Sequence, residues 1–120
     1  MNFEEYGKLA DSTAQYPNKG CNLVYPAIKL AGEAGETADK IGKAWRNKSK
    51  EHGTYVAMSA GPWSAEERIE LVKELGDVLW YINALAIELG VSLEHVAQVN
   101  LEKLAGRAAR GTILSSGDNR

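Results

Sequence analysis

Four carboxylates stand in two pairs of matching geometry: Glu33 with Glu36 in "LAGEAGETADK", and Glu74 with Asp77 in "ELGDVLWY". A spacing of three puts the members of a pair about one turn apart on one helix face. Two such helices side by side can present four oxygen donors to one point, which is the donor chemistry of a hard divalent cation. No histidine or cysteine accompanies them, so the pattern points to Mg2+, with Mn2+ as a possible substitute, rather than to zinc. Later in the chain Asn100, Lys103 and Arg107 follow a three-then-four spacing and can converge on an anion. Carboxylates for a cation and donors for an anion together describe a metal–phosphate site. Each feature also has a plainer explanation. Lys29 with Glu33 and Glu36 with Lys40 stand at i,i+4, which makes a solvated, ion-paired face worth only about 0.2–0.5 kcal/mol per pair. Lys103 and Arg107 in turn suit the negative end of a helix dipole.

Helices must position these groups. Residues 2–14 carry apolar positions at three- and four-residue spacing and predict a first helix, closed by the turn Tyr16-Pro17-Asn18-Lys19-Gly20. A second helix is expected over about 22–46, with Pro26 in its first turn. Its stripe of Val24, Ala27, Ala31, Ala34, Gly35, Ala38, Gly42 and Trp45 is mostly small, which predicts close approach of another backbone. That use would explain why Gly32 and Gly35 are kept at about 0.5–1 kcal/mol each relative to alanine. Glu33 and Glu36 fall on the opposite side of this wheel, beside Lys29 and Lys40. Periodicity lapses over 48–63, which reads as a long loop. Ser64 with Glu67 forms a capping box that opens a third helix to Leu89, with Leu71, Val72, Leu75, Val78, Leu79, Ile82, Ala86 and Leu89 on its core face. Glu70, Glu74, Asp77 and Tyr81 flank that face as the rim of a cleft. Gly90 stops this helix, Ser92 caps a fourth through about residue 109, and 112–120 is expected to be a flexible tail. The expectation is an all-α, four-helix-bundle-like protomer with one domain over residues 1–111 and a loop insertion at 48–63.

The whole-chain properties exclude several classes. With 120 residues, 44% of them hydrophobic and 25% charged, the composition is that of an ordinary globular domain. A net charge of −2 gives no global attraction for nucleic acid. The single cysteine, Cys21, cannot form an internal disulfide, and MNFEEYGK lacks the apolar core of a signal peptide. No apolar run reaches membrane-spanning length, so a cytoplasmic protein without nucleic-acid or membrane partners is expected. Several apolar helix faces on so short a chain predict a homodimer or homotetramer.

The blocks "LAGEAGETADKIGK", "ELGDVLWYINALA" and "VNLEKLAGR" resemble, in order and context, the MazG-like all-α nucleoside triphosphate pyrophosphohydrolases. The resemblance implies that Glu33, Glu36, Glu74 and Asp77 bind magnesium, with Glu33 or Glu36 available to position water. It implies further that Asn100 and Lys103, with Arg107 a weaker match, hold the triphosphate. The implied reaction is hydrolysis of a nucleoside triphosphate to the monophosphate and pyrophosphate. Gly32 stands where a further glutamate is frequent in that family, which bears on the number of metal ions. Base recognition needs stacking groups, for which Trp45 and Tyr81 are candidates, as are Trp80, Tyr55 and Trp63. His52 and His95 are expected on the surface. Residues 48–63, with Lys48, Lys50 and His52 beside Tyr55, Met58 and Trp63, are expected either to fold over the nucleotide or to touch nothing. Two rival functions remain: a phosphoribosyl-ATP pyrophosphohydrolase, and a non-catalytic helical oligomerisation module.

Overall fold

Side-chain caps mark all four helix starts, the Asn22 side chain accepting from the Tyr25 N–H at 3.1 Å at the second of them. The Asn2 side chain accepts from the Glu5 backbone N–H at 2.8 Å while the Glu5 carboxylate accepts from the Asn2 N–H at 3.2 Å. Ser64 and Glu67 repeat this reciprocal pair at 3.1 and 2.8 Å, and the Ser92 hydroxyl accepts from the His95 N–H. Each cap satisfies donors that the first helical turn leaves open. The resulting helices, in a computed structural model that describes residues 1–51 and 63–117, are α1 (Phe3–Ser12), α2 (Val24–Glu51), α3 (Ala65–Glu88) and α4 (Leu93–Ala109). No strand occurs among the described residues. Gly90, at φ +73°, ends α3 in the left-handed conformation that suits glycine, and the chain bends by 97° into α4.

The long helices α2 and α3 form an antiparallel hairpin, in which Lys48 meets Glu67, Lys40 meets Glu74 and Lys29 meets Tyr81. Helix α1 packs on α3 and α4, and α4 packs on α3; α2 touches neither α1 nor α4. The buried centre lies where α1, the second half of α3 and α4 meet, with Ala10, Ala84, Ala86, Leu93 and the fully buried Asn83. Asn83 donates to the Gly7 carbonyl at 3.2 Å, and a Cβ on residue 7 would sit 3.0 Å from the Asn83 side-chain oxygen. Gly7 is the glycine on which close approach depends.

Three expectations are corrected. First, α2 runs to Glu51 rather than to about residue 46, because Lys48 reaches the Glu67 carboxylate at 3.0 Å and lies over the Trp63 ring at 5.6 Å. That partnership lies across the hairpin and leaves no trace in periodicity. The rest of the expected loop, with His52, Tyr55 and Met58, lies outside the described residues. Second, the small-residue stripe of α2 is exposed, and no atom comes within 4 Å of a Cβ built on Gly32, Gly35 or Gly42. Helix α2 instead covers Pro26, Leu30, Glu33, Thr37, Ala44 and Lys48, a more polar stripe at helical spacing. On α3, Val72, Leu75 and Leu89 are exposed rather than core. Third, residues 112–117 fold back on α4: Thr112 N–H donates to the Arg107 carbonyl at 2.9 Å, and the Arg107 guanidinium donates to the Gly117 carbonyl at 3.3 Å. Residues 118–120 lie outside the described residues.

Candidate functional site

The antiparallel register of the hairpin sets the middle of α2 against the middle of α3 and so brings Glu33 and Glu36 to Glu74. One carboxylate oxygen from each of the three lies within 4.8 Å of the other two. Glu33 and Glu74 are drawn into the seam, with side chains only 15% and 12% exposed, whereas Glu36 is open to solvent. The seam can hold acids because it is lined with their partners. The Lys29 ammonium lies 3.6 Å from Glu33 and 5.8 Å from the centre of the Tyr81 ring, and Thr37 donates its hydroxyl to the Glu33 carbonyl at 3.0 Å. Lys40 makes its ion pair with Glu74 on the other helix rather than with Glu36 on its own. The hydrogen bond to Glu74, helped by the nearby charges of Glu70 and Glu36, holds the Lys40 amine above its ordinary pKa.

Asp77 lies outside this close group. One turn along α3, it lines with Glu33, Thr13, Trp80 and Tyr81 an adjoining polar cleft of about 420 Å³. Tyr81 packs edge-to-face on Trp80 at 4.8 Å, and Trp80 is fixed by its indole N–H donating to the Thr13 hydroxyl at 2.9 Å. Burial, then the charge of Asp77, raises the Tyr6 phenol above its usual range. Of the aromatic candidates, Tyr81 therefore shares a cleft with the acids. Trp45 lies twelve residues beyond Glu33, about 18 Å along the axis, and does not line it. Trp63 is half-buried against Lys48 at the far end of the hairpin, Tyr55 is outside the described residues, and His95 is exposed as expected.

The acidic group fits a small hard cation. Octahedral Mg2+ at about 2.0–2.1 Å from each oxygen holds its ligands about 3–4 Å apart, within a small rotamer adjustment of the separations here. Glu33, Glu36 and Glu74 would hold it, with Asp77 next in line. Three like charges at this spacing also require a counter-charge, which Lys29 and Lys40 supply in part.

The anion-binding trio lies on α4, which packs on α3, the helix of Glu74 and Asp77, and not on α2. Asn100 and Lys103 are exposed on α4, which has no contact with α2. Arg107, the third of the expected phosphate set, is buried near the end of α4 and donates to the Gly117 carbonyl at 3.3 Å.

Sequence reasoning also passed over Glu88. Its carboxylate accepts from the Tyr16 hydroxyl at 2.6 Å, the Gly20 N–H at 2.8 Å and the Asn22 N–H at 2.9 Å, which pins the α1–α2 connector to the end of α3. The signal was available: an acid in the last turn of a helix opposes the dipole and calls for donors from elsewhere.

Comparison with known proteins bears on this geometry. The family model of the MazG nucleotide pyrophosphohydrolase domain matches residues 27–111, which includes all four acidic positions. The chain is 42% identical to the Gene 37 protein of Mycobacterium phage L5 over the whole length of both. It is also 35% identical to the uncharacterized protein YvdC of Bacillus subtilis (strain 168), over 77% of this chain and 84% of that one. No solved structure matches the chain.

Proposed function

This chain belongs to the MazG nucleotide pyrophosphohydrolase domain family, and from that membership we propose that it hydrolyses a nucleoside triphosphate, ribo or deoxy, to the monophosphate and pyrophosphate in a Mg2+-dependent reaction. The observation that carries the reading is the convergence of Glu33, Glu36 and Glu74 across the α2–α3 seam, inside the matched region. A divalent cation held there supplies charge neutralisation at the phosphate oxygens and acidifies a nearby water. Glu33 and Glu74, the two drawn into the seam, fix the position of that charge. Glu36, the exposed member, completes the ligand set and in this reading also orients the attacking water. Asp77 closes the group from the cleft side, where Tyr81 offers a ring face to a base. Asn100 and Lys103 donate to phosphate oxygens that the carboxylates cannot approach directly.

The test is a panel of ribo- and deoxynucleoside triphosphates, with phosphoribosyl-ATP included, incubated with protein and Mg2+ while pyrophosphate and orthophosphate are measured separately. Pyrophosphate release that stops with excess chelator supports the reading, and Mn2+ is expected to substitute. Release of orthophosphate alone, or turnover indifferent to chelator, overturns it. Activity confined to phosphoribosyl-ATP would move the substrate, not the site. The same reading assigns no nucleic acid or membrane partner; no single helix among the described residues is long and apolar enough to cross a membrane.

A further inference from the structure

We propose that Thr13 is a positioning residue for base recognition: it holds the Trp80 indole against Tyr81, and so lets α1, which carries none of the acids, set the aromatic wall of the acidic cleft. The inference rests on the nucleotide reading of that cleft. Trp80 and Tyr81 are neighbours on α3, and consecutive residues of a helix point about 100° apart and do not ordinarily face each other. Their rings nevertheless meet, with centroids 4.8 Å apart and planes at 79°. The reason lies on α1. The Trp80 indole N–H, a donor with no acceptor function, reaches the Thr13 hydroxyl at 2.9 Å across 67 positions of sequence.

The end of α1 suits Thr13 to this use. As the C-cap of that helix it donates both its backbone N–H and its hydroxyl to the Ala10 carbonyl, at 3.0 and 2.7 Å. The hydroxyl hydrogen is thereby committed, and the oxygen is left to accept. The indole plane then has a fixed reference on another helix. Tyr81 is tied in turn to the acids, since the Lys29 ammonium lies 5.8 Å from its ring centre and 3.6 Å from Glu33. Thr13, Trp80 and Tyr81 line the same cleft of about 420 Å³ as Glu33 and Asp77, so the clamp and two of the carboxylates bound one space. A base recognised by stacking senses the orientation of the ring it meets. The hydrogen bond from α1 therefore acts on which base is bound, while the carboxylates of α2 and α3 act on turnover.

Thr13→Val keeps the shape and removes the acceptor, whereas Thr13→Ser keeps the hydroxyl. Three measurements on the full chain test the proposal: the Trp80 indole N–H resonance, assigned by its loss in Trp80→Phe; KM and kcat for pyrophosphate release over a panel of nucleoside triphosphates with Mg2+; and Mn2+ affinity by titration calorimetry. Thr13→Val is expected to move the indole resonance upfield, to raise KM for the preferred nucleotide about 3–10-fold and to compress the ranking among bases, with kcat changed by less than about twofold and Mn2+ affinity unchanged. Thr13→Ser is expected to rescue both the resonance and the ranking. In a Trp80→Phe background, Thr13→Val should raise KM no further, because the two residues act as one unit. A resonance that stays in place, or one that moves while KM and ranking do not, overturns the proposal, as does an equal loss of kcat for every nucleotide. A wild type that binds Mn2+ but releases no pyrophosphate from any nucleotide overturns the nucleotide reading itself, and with it the clamp as a device of base recognition.

Discussion

Glu74 is the carboxylate on which the site turns, since it alone joins α3 to the acids of α2 at close range. Glu74→Gln keeps the shape and removes the charge, so pyrophosphate release should fall by more than about 100-fold while the melting temperature shifts little; wild-type turnover in this variant would remove Glu74 from the site. Lys40 belongs to the same question. Its ammonium holds Glu74 and feels Glu70 and Glu36, which is where a metal's charge would go. Lys40→Met is therefore expected to tighten Mn2+ binding about 3–10-fold, as one less competing charge near a partly exposed site implies. Titration calorimetry on the protein without nucleotide reads this directly, and unchanged affinity would leave Lys40 as a surface ion pair only. The identities of these acids were legible in the sequence because spacing on a helix is a local property. Their direction was not. A helical wheel assumes that apolar faces turn inward, whereas α2 turns Glu33 and Thr37 toward α3 and leaves Ala31, Gly35 and Ala38 outside.

Between residue and domain, the seating of whole helices depends on a few polar anchors. Glu88 accepts three hydrogen bonds through an acceptor-only group, and these donors hold its carboxyl below the usual carboxylate range. Glu88→Gln brings an NH2 to face donors and should lower the melting temperature by about 5 °C at neutral pH. Because the folded pKa is depressed, this contribution is present at neutral pH and is lost as pH falls through the folded value. The gap between variant and wild type should then close below the ordinary glutamate range, and a gap that persists in acid would deny the carboxylate its role. Gly42 makes the opposite kind of test. It lies inside α2 with open space around it, so Gly42→Ala should stabilise by about 0.5–1 kcal/mol in chemical denaturation, and a loss of stability would mean that something covers this stripe. Helix existence and the starts at Ser64 and Ser92 were legible because caps are written in neighbouring residues. The end of α2 was not, because Lys48 finds Glu67 and Trp63 across the hairpin.

For the molecule as a whole, the separation of α2 from α4 makes a prediction about copies. If the acids of one chain work with Asn100 and Lys103 of another, mixing the inactive variants Glu74→Gln and Lys103→Ala at equal amounts should restore about a quarter of wild-type activity, since half of randomly paired dimers then carry one intact site of two. No recovery after exchange of subunits would place both groups of residues in the same chain. None of this was legible in the sequence, where separation along the chain says nothing about distance in space. The hairpin stem has a further consequence, for how such a protein changes over generations. Lys48, Trp63 and Glu67 close the α2–α3 pair on their own terms, so the register that assembles the acids is set before residues 52–62 are reached. Closing a longer connection costs only about 0.6 kcal/mol per doubling of its length. Sequence at that end can therefore be lengthened, shortened or exchanged for a foreign module while the acidic seam stays in register, which makes it the place where descendants of this chain can acquire new specificities at least risk.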